Sequence, residues 1–383
     1  MIWIFSAVLC AGILSMRVES RWALTAFDIA LFTLAAVAIV RQRLALRIHP
    51  IGAILAAIAL WGLMQASSKV TADAQRTLES SLDWTANCAA FCLALKLTKD
   101  RATRQRFLTA QLIFALLVAI GATIWLFTRG SLGPFVYRNQ FAAFLEPSLG
   151  LAIAAAVGDR ARPVRWVFIA GALFAAVVAA GSRTGSAICL ALLILLPLLA
   201  YLRGVIPAGA LLRVSLLGAL AAFALVAVAG WQTIWDRLQE PNPYGVRADL
   251  NRSSLNMIRD RPLTGFGLGT WSSVYPRYAL FDDGTFVNQA HNDWAQWAVE
   301  GGLPLFLAML AVVAMLAPKA IRSLWGIGLI AVFIHAAVDY PFEQRPALAA
   351  YLFALMGALA HSCRADAPVR AGPPGPAVPS RST

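Results

Sequence analysis

Long apolar runs separated by short polar segments recur along almost the whole chain. Several of these runs approach the roughly 20 residues that an α-helix needs to cross about 30 Å of hydrocarbon. The pattern predicts an all-α, polytopic helical membrane protein with about twelve transmembrane helices. The runs are 2–16, 22–40, 51–66, 82–98, 107–127, 141–157, 166–181, 185–202, 214–230, 303–317, 324–339 and 347–362.

One polar interval, 231–302, is far longer than the others and predicts a large extracytoplasmic loop between spans nine and ten. Inside it, VRADLNRSSLNMIRD (246–260) has helical spacing that stops before Pro262. The stretch GFGLGTW (265–271) predicts a structural turn, because no Lys-Ser or Lys-Thr follows it as in a phosphate-binding loop.

The end of this loop, HNDWAQWAVEGGLP, predicts a second helix that leads into the tenth span. Its spacing places His291, Trp294 and Trp297 on one face, and the two tryptophans suit a membrane interface. We expect residues 1–362 to form a single membrane domain. The Pro-rich segment 363–383 is expected to be a disordered cytoplasmic tail.

The distribution of Lys and Arg predicts the orientation of the chain. Alternate connections are rich in basic residues, which marks the cytoplasmic side and places both termini there. The N-terminus lacks the basic region of a signal peptide, so residues 2–16 are interpreted as the first span. The basic connections are 41–47, 96–106, 158–165, 203–213, 318–322 and the segment after 361.

Composition supports the membrane assignment. The chain has 383 residues, of which 13% are charged, and a mean hydropathy of +0.69; a soluble globule of this size needs more polar surface. The net charge of +13 is scattered in short groups, which favours topology-setting charge over a nucleic-acid partner. The cysteines lie in or beside apolar runs and are expected to pack rather than to bind metal; they are Cys10, Cys88, Cys92, Cys189 and Cys363.

His291 is the strongest single candidate for chemistry. It lies at a predicted boundary between water and membrane and precedes Asn292 and Asp293. A neutral imidazole accepts a proton from a hydroxyl near neutral pH. The alternative interpretation is a structural histidine.

Arginines on the same predicted face form a second group of candidates. Arg183 stands in a tight turn, GSRTG (181–185), where a charge is costly unless it is paired or at the surface; the alternative is a topology residue that extends to the interface. Arg138 and Asn139 close another extracytoplasmic loop, and His335 lies near the end of the eleventh run. Converging guanidiniums would bind phosphate or diphosphate through charge-assisted, bidentate hydrogen bonds.

Two acidic positions have competing interpretations. Asp282 and Asp283 suggest either a metal site or a solvated turn, and the turn is favoured. Glu300 precedes two glycines and could be a second acid or base, although a helix-end charge is favoured. The sequence therefore predicts neither a metal nor a cofactor.

Five segments occur in a recognisable order: YRNQFAAFL (137–145), GSRTG (181–185), the spacing R-x10-I-x3-P-L-x-G-x-G from Arg247 to Gly267, AHNDWAQWAVEGGLPL (290–305) and HAAVDYPFEQRPAL (335–348). Together they resemble the O-antigen ligase and polymerase superfamily of membrane glycan transferases. The resemblance implies a transferase in the bacterial inner membrane whose donor is a polyprenyl-diphosphate-linked glycan. Its acceptor hydroxyl would belong to a lipid, a glycan or a protein.

The resemblance also implies roles for particular residues. The family's functional arginines correspond to Arg183 and Arg247, and its histidine corresponds to His291. The mechanism that follows is a metal-independent, inverting displacement in which the arginines stabilise the departing diphosphate and His291 orients or deprotonates the acceptor. The residues expected to bind substrate are Arg138, Asn139, Arg252, Asn292, Asp293, Glu300 and His335.

Two other functions remain open at this point. One is a protein O-oligosaccharyltransferase of the same superfamily. The other is a transporter or flippase of lipid-linked sugars, although transporters tend to place polar groups near the middle of the membrane. In this chain the polar groups concentrate at one face, which favours chemistry at the membrane surface.

Overall fold

Helices make up nearly all the regular structure of the protein. The computed structural model describes residues 1–18, 21–41, 49–68, 70–159, 162–241, 244–281, 284–343 and 345–361, and within these ranges it contains no β-strand. The helices are α1 (Ile2–Ser15), α2 (Arg21–Arg41), α3 (Pro50–Ser67), α4 (Ala74–Leu97), α5 (Arg101–Arg129), α6 (Arg138–Gly158), α7 (Pro163–Ala179), α8 (Arg183–Leu202), α9 (Ala208–Ala229), α10 (Gln232–Leu238), α11 (Gly245–Asp260), α12 (Trp271–Val274), α13 (Asp293–Ser323), α14 (Gly326–His335) and α15 (Pro346–Ala360).

The predicted apolar runs all fall on helices, namely α1–α9 and α13–α15. Among the described residues, seven helices are long and apolar enough to cross a membrane: α2, α3, α5, α6, α8, α9 and α13. Four shorter apolar helices, α1, α7, α14 and α15, have 10–17 residues. The all-helical membrane fold is therefore confirmed, while the count of twelve spans stays a prediction. The predicted tail, 363–383, lies outside the described residues.

Two helices form the centre of the bundle. In α15 every residue from Ala347 to Ala360 is buried, and in α6 most of the helix is buried. A helix that is apolar on all sides is stable where other helices surround it. Accordingly α15 packs mainly against α4, and α6 packs against α7, α8 and α14.

Glycines allow these central helices to approach closely. A Cβ at Gly150 of α6 would lie 2.8 Å from the carbonyl oxygen of Trp325, and a Cβ at Gly328 of α14 would lie 2.7 Å from that of Glu146. Small residues at such contacts are typical of membrane helices, where packing rather than water exclusion drives association. In contrast, α9 buries little surface and leaves Leu216, Leu220 and Phe223 exposed, as expected for a helix that faces lipid.

The long polar interval is held firmly against the ends of α3 and α4. Gln65 donates through Nε2 to the carbonyl oxygens of Thr264 (2.7 Å) and Glu300 (2.9 Å). Arg261 donates through Nη1 to the carbonyl oxygen of Val70 at 2.7 Å. Because buried backbone groups need such partners, this loop is fixed as part of the fold rather than left as a free connection.

The predicted helix before Pro262 is confirmed as α11, and the predicted glycine turn is also confirmed. Gly265, Gly267 and Gly269 all have positive φ, at 63°, 107° and 72°, which side chains with a Cβ rarely adopt. The turn pairs with α13, because the amide of Gly267 donates to the carbonyl oxygen of Glu300 at 3.0 Å. Gly302, with φ 70°, then kinks α13.

Contacts between loops agree with the predicted alternation of the two faces. At one end, Arg17 donates through Nη1 to the carbonyl oxygen of Gly133 at 2.9 Å. At the other end, the guanidinium of Arg203 donates to the carbonyl oxygen of Ile321. Each pair joins two connections that the predicted alternation places on the same side of the membrane.

Three expectations about local structure were wrong. His291 precedes α13 and has φ 52°, so it does not share a helical face with the two tryptophans. Trp297 is fully buried and donates through Nε1 to Glu343 at 2.9 Å, so it does not lie at a lipid interface. The connection expected between the apolar runs 51–66 and 82–98 is helical from Ala74, because Asp73 accepts a hydrogen bond from the amide of Arg76 and starts α4 early.

The close packing of α6 on α14 can be tested with one methyl group. Gly150→Ala should lower the free energy of unfolding by about 1–3 kcal/mol, because the new Cβ overlaps the Trp325 carbonyl oxygen. Thermal unfolding of the purified protein in detergent measures the change. Gly121→Ala in α5 is the matched control, since no atom of a neighbouring helix lies within 4 Å of that Cβ position; an equal loss in both variants would contradict the packing described.

Candidate active site

Three helices begin at one place with an arginine in the first turn. Arg138 is the first residue of α6, Arg183 is the first residue of α8, and Arg247 is the third residue of α11. None of these first turns contains an acidic residue. Helix N-termini carry partial positive charge and normally favour acidic neighbours, so arginines at these positions favour an external anion.

Asp339 ties these helices together. Its Oδ2 accepts a hydrogen bond from Arg247 Nη2 at 2.8 Å and a second bond from the side-chain amide of Asn139. Asn139 in turn accepts a hydrogen bond from Ser182 Oγ at 2.8 Å, and Ser182 caps α8 by accepting from the amide of Gly185 at 3.1 Å. The segment after α14 thus sets the positions of the first turns of α6, α8 and α11.

Tyr244 lies beside both functional arginines that the resemblance implies. The guanidinium carbon of Arg183 is 5.6 Å from its ring centroid, and that of Arg247 is 5.9 Å away. Cations over an aromatic face are attracted by the ring quadrupole. Arg183 and Arg247, which are distant in sequence, therefore converge on one ring that is itself about half exposed.

A further arginine, Arg237 in α10, completes this group. Arg183 donates through Nη1 to the carbonyl oxygen of Arg237 at 2.7 Å and to Glu240 Oε2 at 3.0 Å. Burial lowers the pKa of Arg237, and repulsion from Arg138, Arg183 and Arg247 lowers this pKa further, while the negative charge of Glu240 raises it. We call Arg138, Arg183, Arg237 and Arg247 the arginine cluster.

His291 lies against the same carboxylate that holds Arg247. Its Nδ1 is 4.0 Å from Asp339 Oδ1, beyond hydrogen-bond distance, so the two groups interact through charge. The ring meets Tyr340 edge-on, with centroids 4.7 Å apart. The side chain is 32% exposed although Nδ1 is buried, so the exposed surface belongs to its other atoms.

The surroundings of His291 favour the neutral imidazole. Burial lowers its pKa below the ordinary value of 6.5, and Arg247 adds repulsion, while Asp339 acts in the opposite direction. The backbone at His291 has φ 52°, a conformation that costs energy for a residue with a Cβ. The fold thus holds a neutral, partly exposed imidazole in a strained position beside the arginine cluster.

Other predicted substrate-binding residues lie elsewhere or serve the fold. Arg252 is 71% exposed and pairs with Asp249 at 3.3 Å, three residues away on α11, rather than with the cluster. Asn292 caps α13 by accepting from the amide of Ala295 at 3.1 Å. Asp293 is fully buried and accepts a hydrogen bond from the amide of Phe342 at 2.9 Å.

Glu300 and His335 are likewise buried. The Glu300 carboxylate accepts hydrogen bonds from the amides of Gly269 (2.8 Å) and Trp271 (3.1 Å), so it holds the glycine turn. His335 Nδ1 lies 2.6 Å from Glu146 Oε1, and both side chains are fully buried. These contacts match the structural role that the sequence favoured for Glu300.

Sequence reasoning missed three parts of this site. Arg237 and Tyr244 carry no local pattern that separates them from other residues of the long loop. Asp339 lies in the segment HAAVDYPFEQRPAL, but nothing in the sequence shows that it faces Arg247 across 92 positions. Among the described residues, no three His, Cys, Asp or Glu side chains converge to hold a metal ion; Asp282 and Asp283 lie outside those residues.

Residues 168–310 match the model of the O-antigen ligase family. The matched segment is somewhat more than a third of the chain and contains Arg183, Arg237, Tyr244, Arg247 and His291. The resemblance noted from the sequence is therefore confirmed over this segment. No curated protein matches the chain at a significant level.

The arginine cluster should bind an inorganic anion measurably. Sodium diphosphate titrated into the purified protein should bind more weakly as salt increases, because the attraction is electrostatic. Arg183→Ala and Arg247→Ala should each lower the affinity at least about tenfold, a loss of about 1.4 kcal/mol, in isothermal titration calorimetry. Arg252→Ala is the matched control on α11; an equal loss there would show that diphosphate binds without the cluster.

Proposed function

We propose that this protein transfers a glycan from a polyprenyl diphosphate carrier to a hydroxyl of an acceptor, at the periplasmic face of the bacterial inner membrane. The family match supports glycan transfer of the O-antigen ligase or polymerase type. The observation that carries the proposal is the arrangement of Arg183 and Arg247 around Tyr244, with His291 beside the Asp339 that holds Arg247.

The arginine cluster would bind the diphosphate of the donor. A diphosphate between a lipid and a sugar carries charge on each phosphate, and guanidiniums recognise such oxygens through two parallel hydrogen bonds. Arg138 forms no side-chain hydrogen bond or ion pair among the described residues, so its donors are available to a ligand. The positive ends of α6, α8 and α11 add to this attraction.

His291 would act on the acceptor. Its neutral imidazole accepts the proton of the attacking hydroxyl as the oxygen forms a bond to the anomeric carbon. The bond between that carbon and the diphosphate oxygen breaks, and its electron pair leaves with the polyprenyl diphosphate. A single displacement of this kind inverts the anomeric centre, and the arginine cluster stabilises the charge that develops on the leaving group.

Asp339 has a positioning role in this mechanism. It fixes Arg247 by a 2.8 Å ion pair, holds Asn139, and stabilises positive charge on His291 from 4.0 Å. Its own side chain is almost completely buried, so it does not need to contact substrate. The chemistry then uses the guanidiniums and the imidazole alone, and no metal ion takes part.

Purified protein incubated with a synthetic polyprenyl-diphosphate oligosaccharide and candidate acceptors tests the proposal. Arg183→Ala and Arg247→Ala should each lower the rate by about 10²–10³, because each removes a charge that stabilises the leaving group. His291→Ala should lower it by about 10²–10⁴. Product mass identifies the acceptor as carrier-linked glycan, lipid or protein.

Arg252→Ala serves as the control in this assay, since its side chain lies away from the cluster. Full activity of the Arg183, Arg247 and His291 variants would contradict the assigned roles. Movement of intact donor across vesicle membranes without any new glycosidic bond would instead identify a transporter.

The pH dependence of the rate reports the protonation of His291. Because burial holds its pKa below 6.5, the imidazole is neutral at pH 7 and loses its basicity only as pH falls through that lower value. The rate should therefore stay constant from pH 8 to about 6.5 and fall below it. In His291→Gln the residual rate should lack this acidic limb; a limb that persists unchanged would assign the titration to another group.

A further inference from the structure

A polar cavity opens at the same end of the bundle as the arginine cluster. Its volume is about 480 Å³, within the range of sites for small molecules. It is lined by the starts of α2 and α4, by the glycine turn, and by Phe286, Asn288, Gln289, Glu343 and Pro346. Its chemistry-bearing side chains include Asp28, Asp83, Phe286, Gln289 and Glu343.

Two hydrogen-bond acceptors in this cavity lack partners. Gln289 is only 8% exposed, and its Oε1 has no hydrogen-bond partner among the described residues. The Oδ1 of Asp28 is also buried without one. An unpaired buried acceptor costs free energy, so a ligand that brings hydrogen-bond donors is favoured here.

The charges of the cavity are unsuited to a phosphate. Its two arginines are already engaged: Arg21 pairs with Glu79, and Arg76 donates through Nη1 to Ser272 Oγ at 2.6 Å. The lining side chains Asp28, Asp83 and Glu343 are carboxyl groups, which offer an anion no positive charge, and Glu343 also accepts a hydrogen bond from Trp297. No three carboxylates converge on one metal position in the described part of the chain. A neutral ligand rich in hydroxyl groups satisfies these conditions.

Phe286 adds an apolar surface to the same cavity. Its side chain is 75% exposed, although Phe is among the residues that are most often buried. A sugar ring combines hydroxyl donors at its edge with an apolar face of C–H groups. Carboxylates and an amide oxygen beside an exposed aromatic ring match both of these features.

The cavity and the candidate active site share two segments. Gln289 is two residues before His291, and Gln296 accepts a hydrogen bond through Oε1 from the amide of Ala290 at 3.1 Å. Glu343 is three residues after Tyr340, which contacts the His291 ring. The segments 288–296 and 339–343 thus form part of both sites.

We propose that this cavity binds a sugar ring of the acceptor glycan through the carboxyl groups of Asp28 and Asp83, the amide of Gln289 and the ring of Phe286. Its shared segments then bring a hydroxyl of the acceptor towards His291. This inference rests on the proposed function for the identity of the ligand as an acceptor. The cavity itself recognises carbohydrate, while the arginine cluster recognises diphosphate.

Sugar binding can be measured without any donor. Saturation-transfer-difference NMR on the protein in lipid nanodiscs uses the methyl glycosides of glucose, galactose, mannose and N-acetylglucosamine as probes. At least one glycoside should receive saturation from the wild type. Its signal should fall at least about fivefold in Asp28→Asn and in Phe286→Ala, because each removes one of the two kinds of contact.

Phe286→Ala changes an exposed side chain, so a loss of signal there reports binding rather than unfolding. The matched controls are Asp260→Asn and Leu263→Ala, which lie in the same region of the chain but outside the cavity lining; both should keep the signal. Added sodium diphosphate should not displace the sugar, because it binds at the arginine cluster.

Three results would overturn the inference: no glycoside receives saturation, the cavity variants keep the signal, or diphosphate displaces the sugar. In the transfer assay, Phe286→Ala should raise the half-saturating acceptor concentration about tenfold and leave that of the donor unchanged. If the protein binds a glycoside but transfers no glycan, the proposed function is wrong and the carbohydrate site still stands. If it transfers glycan and both cavity variants need the same acceptor concentration as the wild type, the carbohydrate site is wrong and the proposed function still stands.

Discussion

The concentration of positive charge at the starts of α6, α8 and α11 is the constraint on which the site depends. Guanidiniums at helix N-termini repel both each other and the helix dipoles, so this arrangement is unfavourable without nearby negative charge. Asp339 and Glu240 supply part of that charge through Arg247 and Arg183. The fold therefore maintains an excess of positive charge, which an anionic ligand would balance.

Rigid packing away from the site makes this arrangement possible. Gly150 and Gly328 bring α6 and α14 into close contact, and the segment that follows α14 carries Asp339. Glu300 and Gln65 fix the long loop against α3 and α13, so that α11 and its Arg247 keep their place. The buried polar side chains of Glu300 and Gln65 thus hold the loop in position instead of contacting substrate.

The two proposed subsites would bind the two substrates of a transferase through different interactions. Arginines and helix N-termini favour the diphosphate of a donor. Carboxylates, an unpaired amide oxygen and an exposed aromatic ring favour a neutral, hydroxylated ligand. His291 belongs to the segment that both subsites share, which is where a group that acts on both substrates must lie.

The sequence alone determined the helical membrane class, the positions of the apolar runs, the helix before Pro262 and the glycine turn, and it made Arg183, Arg247 and His291 candidates for the site. These features are local, because the hydrophobic period, the turn chemistry and the short motifs each depend on residues that are close together in the sequence. Only the tertiary structure decided that Asp339 pairs with Arg247, that Tyr244 and Arg237 join the cluster, and that Arg252 and Glu300 do not. Those contacts join residues that are far apart in the chain. Helix packing decides which of these residues come together, and no local sequence pattern encodes that packing.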